Sequence, residues 1–308
     1  MCGIVGLFLK DPALEPQLGR LTAEMLEVMS DRGPDSAGFA IYSAPAPKSV
    51  KLTLRGPEGK ALGDLAAELS RATGLDLPVT VRGDHAVLLV PAAREAELRE
   101  LLAERLPGLR VAGAGKRMEI YKGVGLPAAV SARFGLSGIA GTHAIGHTRM
   151  ATESAVTTAG AHPFSTGADQ CLVHNGSLSN HNDVRRRLRR EGLDFETAND
   201  TEVAAGYLSW RMAQGAGLGE ALESALSDLD GFYTFVVGTE NGFGVLRDPV
   251  ACKPAVMAET DHYVAFGTEY RALVDLPGIE DAHIFEPEPA RVYFWERPRA
   301  VADERAAA

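Results

Sequence analysis

Residues 2–9 form an almost unbroken apolar run, Cys-Gly-Ile-Val-Gly-Leu-Phe-Leu, short enough to predict a strand buried on both faces. Leu18, Leu21, Met25 and Val28 then recur at helical spacing, and Asp31-Arg32-Gly33-Pro34 cannot continue that helix. Residues 38–42 read as a second strand, stopped by the Ala-Pro-Ala-Pro of 44–47. From 48 to 116 the texture changes. A strand is expected at 50–54, an Ala/Leu-rich helix at 59–73 and two strand-like runs within 79–90, broken at Gly83-Asp84. An amphipathic helix follows at 92–106, with Leu98, Leu101, Leu102 and Arg105 along its core edge. This stretch alternates β and α elements and carries no catalytic grouping, which marks it as an inserted small α/β subdomain.

Beyond 117 the strands return, at 118–121, 141–148 and 171–174. Ser179 is expected to cap a helix that runs to Glu191 and stops at Gly192, and 201–212 and 218–229 read as two more helices. Residues 232–237 and 243–246 around an Asn241-Gly242 turn predict a hairpin. Strands at 262–266 and 291–295 close the pattern. The division that follows is one discontinuous domain, 1–47 with 117–295, interrupted by 48–116 and ending in a low-complexity tail at 296–308. Strands, then helices, then strands again give an α+β class, not an alternating doubly wound sheet.

At 308 residues, 45% hydrophobic and 23% charged, the chain can bury a sizeable core. Its 31 Lys and Arg stand against 41 Asp and Glu, a net charge of −10, which repels phosphate backbones and argues against nucleic-acid binding. No apolar run approaches the ~20 residues of a membrane span. Cys2, Cys171 and Cys252 are too few and too far apart for a disulfide framework. With no basic leader ahead of residue 2, a cytoplasmic location is expected.

Candidate chemistry begins at Cys2. Removal of Met1 would leave that residue with a thiol and a free α-amine, and an α-amine of pKa ~7.7–8.0 can accept the thiol proton at neutral pH. Alone, a Cys after Met is most simply an accident. Four further segments change that. Arg32-Gly33-Pro34-Asp35-Ser36-Ala37-Gly38 forms a tight polar turn into a strand. Gly146-His147-Thr148-Arg149-Met150-Ala151-Thr152 puts an arginine at a strand end, a place suited to bidentate carboxylate capture. His174-Asn175-Gly176-Ser177-Leu178 follows another strand, and Asn199-Asp200-Thr201-Glu202 opens a helix. A thiol, a guanidinium, an Asn amide beside a Gly N–H and a carboxylate are what hydrolysis of an amino acid's side-chain amide requires.

These motifs, in this order, resemble the class II (N-terminal nucleophile) glutamine amidotransferases. The resemblance implies a four-layer α/β/β/α sandwich and a thioester intermediate released by water. By motif, Cys2 is similar to the family's nucleophile, and Asn175 with the backbone of Gly176 to its oxyanion hole. Arg149, with Thr152 nearby, would hold the glutamine α-carboxylate, Asp200 its α-ammonium, and Arg32 would order the turn near the N-terminus. Arg247-Asp248-Pro249 with Lys253-Pro254 resembles a late structural signature. Met150 stands where the family usually has Trp or Tyr, Glu153 where it often has His or Asn, and Cys252 where it usually has Gly.

The match ends near Trp295 without an acceptor domain, so acceptor chemistry is expected on another chain. The opening and the Arg-Gly-Pro-Asp-Ser-Ala-Gly turn resemble most the small subunit of N-methylglutamate synthase and its glutamate-synthase-like relatives. That implies no cofactor in this chain, with FMN and iron–sulfur groups on a partner synthase subunit. Three other readings stay open: a free-standing γ-glutamyl amide hydrolase, an inert assembly subunit with the same fold, and a glutamine sensor. Among weaker signals, His143 and His147 lie on an expected strand, where residues four apart do not converge on a metal. Residues 185–190, nearly all Arg, are expected to form a solvated helix face, and Cys171 and Cys252 to be core residues.

Overall fold

The structure is a computed structural model that describes residues 2–58, 60, 62–151 and 155–298. Its centre is a seven-stranded sheet built from β1 (Gly3–Leu9), β2 (Ser36–Tyr42), β7 (Met118–Val124), β8 (His143–Arg149), β13 (Val256–Glu259), β14 (Tyr263–Gly267) and β15 (His283–Phe285), in the order β15-β13-β14-β1-β8-β2-β7. A five-stranded sheet, β16-β12-β11-β10-β9, faces it: β9 (Phe164–Gly167), β10 (Gln170–Leu178), β11 (Gly231–Gly238), β12 (Gly242–Arg247) and β16 (Val292–Glu296).

The alternation of side chains along each strand assigns them to three layers of core. In β1, Ile4 and Phe8 point between the sheets, meeting Val173, Val236 and Phe243. Val5, Leu7 and Leu9 point the other way, onto α1 (Leu18–Val28) and α4 (Pro127–Phe134). The outer face of the five-stranded sheet, through Leu172, Phe235 and Leu246, packs on α5 (His181–Arg190), α6 (Asp200–Ala213) and α7 (Leu218–Asp228). Helix, sheet, sheet, helix is the expected four-layer sandwich, and the strand 2–9 is buried on both faces as its composition requires.

Residues 49–115 build a third sheet, β4-β5-β3-β6, from β3 (Ser49–Arg55), β4 (Val79–Arg82), β5 (His85–Pro91) and β6 (Arg110–Gly115), with α2 (Leu65–Thr73) and α3 (Glu95–Arg105) on one face. Every neighbouring pair is antiparallel, giving a split β-α-β unit with its own core around Leu52, Leu69, Leu88 and Leu98. The unit is bolted to the main sheets. A buried ion pair joins Lys51 to Glu119 at 2.9 Å. Asp169 accepts the backbone N–H groups of Lys116, Arg117 and Met118 at 2.6, 2.9 and 2.9 Å, where the chain returns into β7.

Some local expectations move. The helix expected over 59–73 begins at Leu65, because the Asp64 side chain caps the N–H of Ala67. In α3 only Leu98 and Leu102 are buried; Leu101 is partly covered, and Arg105 is exposed, its Nη1 on the carbonyl of Ala72. Asn180, not Ser179, precedes α5, and its side chain instead ties residues 228 and 230. Cys171 is buried, whereas Cys252 is exposed on a loop. The tail beyond Pro298 lies outside the described residues. No helix among the described residues is long and apolar enough to cross a membrane.

Candidate active site

Cys2 sits at the mouth of β1, where one end of the seven-stranded sheet meets the end of β10. Registers Gly3↔Thr148 and Ser36↔Arg149 bring the start of β1 and the end of β8 to the same edge. Asn175 Nδ2 donates to the Cys2 carbonyl at 3.3 Å, and Arg32 Nε donates to the same oxygen at 3.1 Å while its Nη1 pairs with Glu269. The thiol lies 4.0 Å from the Met150 carbonyl. The turn into β2 fits closely: a Cβ on Gly33 would lie 2.4 Å from the Thr148 carbonyl carbon, so only glycine allows this approach. Beside it, Asp35 Oδ2 accepts the Ala151 N–H at 2.8 Å and the Asp35 N–H donates to Arg149 O at 3.1 Å, anchoring the strand end that presents the guanidinium.

Cys2, Arg149, Asn175, Gly176 and Asp200 line one cleft of about 830 Å³. Gly176 has φ +143, and a Cβ there would lie 2.0 Å from the Phe232 carbonyl oxygen, so a side chain would force β10 from β11. Asp200 opens α6, whose N-cap Asn199 accepts the Thr201 N–H. One Asp200 oxygen accepts the Leu178 N–H at 2.9 Å, which orients the other oxygen, 3.7 Å from His174 Nδ1. Thr152, expected near the carboxylate site, and Glu153 lie outside the described residues.

The floor of the cleft holds groups that the motifs did not assign. Thr201 Oγ1 bridges His162 Nε2 at 2.7 Å and His174 Nδ1 at 3.0 Å, and the His162 ring stacks on His147, centroids 4.0 Å apart. Burial pushes all three imidazoles down, His147 to about 3, so they are neutral. Neutral His147 donates Nε2–H to the His174 carbonyl at 3.1 Å; His143 likewise donates to Thr239 O at 2.9 Å, which gives both histidines backbone partners in or beside the facing sheet. Lys253 also lines the cleft, its Nζ 5.1 Å from the centre of the Phe232 ring. Arg247 and Asp248 do bind backbone around that loop, but Lys253 itself faces the cleft. Its place in a Lys-Pro signature was the available clue.

Two walls complete the site, residues 155–160 and 196–199. Lys122 on β7 holds the first from below. Its Nζ donates to the carbonyls of Ala161, Ala159 and Pro163 at 3.0, 3.2 and 3.4 Å, over the Phe164 ring. Burial pushes this ammonium down to about 8. The second wall is held by Glu202, which accepts from the N–H groups of Glu196 and Thr197, each at 2.7 Å.

A relative from Rhizobium meliloti (strain 1021), the glutamine amidotransferase-like protein GlxB, is 63% identical over 301 residues, 97% of this chain and 100% of its own. The chain belongs to the glutamine amidotransferase family. The family's glutamine amidotransferase domain matches residues 147–275, which span Arg149, Asn175, Gly176 and Asp200. A relative from Methanothermobacter thermautotrophicus, provisionally assigned as a glutamine amidotransferase, is 34% identical over 304 residues, 95% of this chain and 99% of its own. Among solved structures, the glutamine phosphoribosylpyrophosphate amidotransferase from B. subtilis superposes with a TM-score of 0.60 at 20% identity, over 96% of this chain. The amidotransferase chain spans about half the length of that enzyme, 47%, and shares its fold over that part.

Proposed function

We propose that this amidotransferase hydrolyses L-glutamine to glutamate and ammonia through a thioester on Cys2. The observation that carries the reading is the convergence on one cleft of a thiol, an amide donor beside a glycine N–H, a guanidinium and a carboxylate. Arg149 and Asp200 bind the two charges of the amino acid, which aims its carboxamide at Cys2. The thiol adds to the amide carbon as its proton passes to the α-amine freed by removal of Met1. Asn175 Nδ2 and the Gly176 N–H receive the developing oxyanion, where one preorganised donor is worth ~3 kcal/mol. The C–N bond breaks as that proton reaches the leaving nitrogen, releasing ammonia and leaving the acyl on sulfur. Water then adds to the thioester, and glutamate leaves with the thiol restored.

The ammonia serves a separate synthase subunit of glutamate synthase or N-methylglutamate synthase type, which carries FMN and iron–sulfur groups. Exposed apolar side chains at the cleft support a covered mouth: Met150 in its wall, and Val156 and Phe232 next to lining residues. The test is chemical. Intact mass should show a chain that starts at Cys2, Cys2→Ala should abolish glutaminase activity, and a diazo-ketone glutamine analogue should label Cys2 alone. Labelling of exposed Cys252 instead would reject the assignment.

A further inference from the structure

The two cleft walls have little regular structure, and both are tied to the split β-α-β unit formed by residues 49–115. Arg55 ends β3 and is largely covered, its side chain 12% exposed, with Nη2 on Glu196 Oε1 at 2.9 Å. Glu58, three residues on, accepts the Thr158 N–H at 3.5 Å, the long limit of a hydrogen bond. Glu196 and Thr157 both line the cleft, so the unit reaches each wall. The backbone of 196–197 is gripped from α6 by Glu202, and the Glu196 side chain spans from that grip to Arg55. Arg55 is a fixed post because the unit beneath it is fastened by the Lys51–Glu119 pair and by Asp169.

We infer that Arg55, acting through Glu196, is a positioning residue for glutamine, so that the unit 49–115 sets the shape of the substrate cleft. The inference rests on the glutaminase reading above. Arg55 is not among the residues that line the cleft. Its loss leaves the strands that carry Cys2, Asn175 and Gly176 in place and slackens the wall against which substrate binds. An interaction felt equally by bound substrate and transition state appears in KM and not in kcat. Glu196 is half exposed, and an ion pair of that exposure carries a two- to fivefold effect, about 0.4–1 kcal/mol.

The experiment compares the full chain with Arg55→Ala, Glu196→Gln and the swapped pair Arg55→Glu with Glu196→Arg. Glutamine kinetics are read beside hydrogen exchange of 155–160 and 195–199. Each single variant should raise KM two- to fivefold at unchanged kcat and speed exchange in those segments, and the swap should restore both. Arg94→Ala, which breaks a surface pair with Glu97 on the same unit, should change neither. Glu196→Gln removes only a charge from a half-exposed side chain, so it stays informative if Arg55→Ala folds poorly. Unchanged KM and exchange in the folded variants would overturn the inference, as would a fall in kcat at constant KM. A wild-type chain that does not hydrolyse glutamine defeats the functional reading instead, and the exchange data then decide the positioning role alone.

Discussion

In the proposed reaction Arg149 and Asp200 take the two ends of one amino acid by different means. Arg149 is a planar fork at a buried strand end, and Asp200 is a carboxylate with one oxygen already committed to the Leu178 N–H. Arg149→Lys keeps the charge but loses the fork, and Asp200→Asn keeps the shape but loses the charge. Charge-assisted hydrogen bonds contribute roughly 1.5–3 kcal/mol, so each change should raise the glutamine KM tenfold or more. Steady-state assays against glutamine and against a simple amide without either charge check this; equal loss on both substrates would contradict it. That these residues share one cleft was legible from the motifs that carry them, at 146–152 and 199–202. Thr157, Ala159 and Gly160 were not, since small residues do not announce which loop they will face. Thr201 and His162 were hidden for another reason: their value lies in a contact between segments 39 residues apart.

Among the elements, strand β7 carries a cost that the wall above it repays. Lys122 is buried against three carbonyls with, among the described residues, no carboxylate in ion-pair contact, and burial pushes its ammonium down to about 8 in the folded chain against 10.5 unfolded. Below pH 8 both states hold the proton and the burial penalty is fully present. Between 8 and 10.5 the unfolded chain binds more protons than the folded one, so stability rises with pH across that window, by up to about 3 kcal/mol. Urea melts at pH 7.5 and 9.5 should show about 2 kcal/mol of that gain in wild type relative to Lys122→Met, which has no such proton to lose. A difference independent of pH would refute it. Element by element, periodicity located β1, α1 and α6 well, since long apolar stripes decide them. It missed α4, where Pro127-Ala-Ala-Val-Ser-Ala-Arg-Phe134 mixes small and polar residues, and β15, three residues at a sheet edge. Pro127 at its start and the left-handed Gly135 at its end outline α4 locally without a long apolar stripe, whereas β15 is made by pairing with β13.

At the scale of the whole molecule, the face that carries Met150, Val156 and Phe232 leaves apolar side chains in water beside the Cys2 thiol. A partner that covers this face would keep ammonia from solvent and favour the ordered state of the walls. The chain should therefore co-purify from its native host with a flavoprotein, and glutaminase turnover should rise when that partner is added back. A chain that elutes alone and hydrolyses glutamine at full rate would favour a free-standing γ-glutamyl amide hydrolase.

The position of Cys2 has a practical consequence. Cys2 lines the cleft itself, directly ahead of the central strand β1. On the proposed mechanism, anything fused ahead of Cys2 blocks the amine that takes the thiol proton. On that mechanism an affinity tag at the front of the chain should act as a propeptide, leaving glutaminase activity silent until a protease trims it back to Cys2.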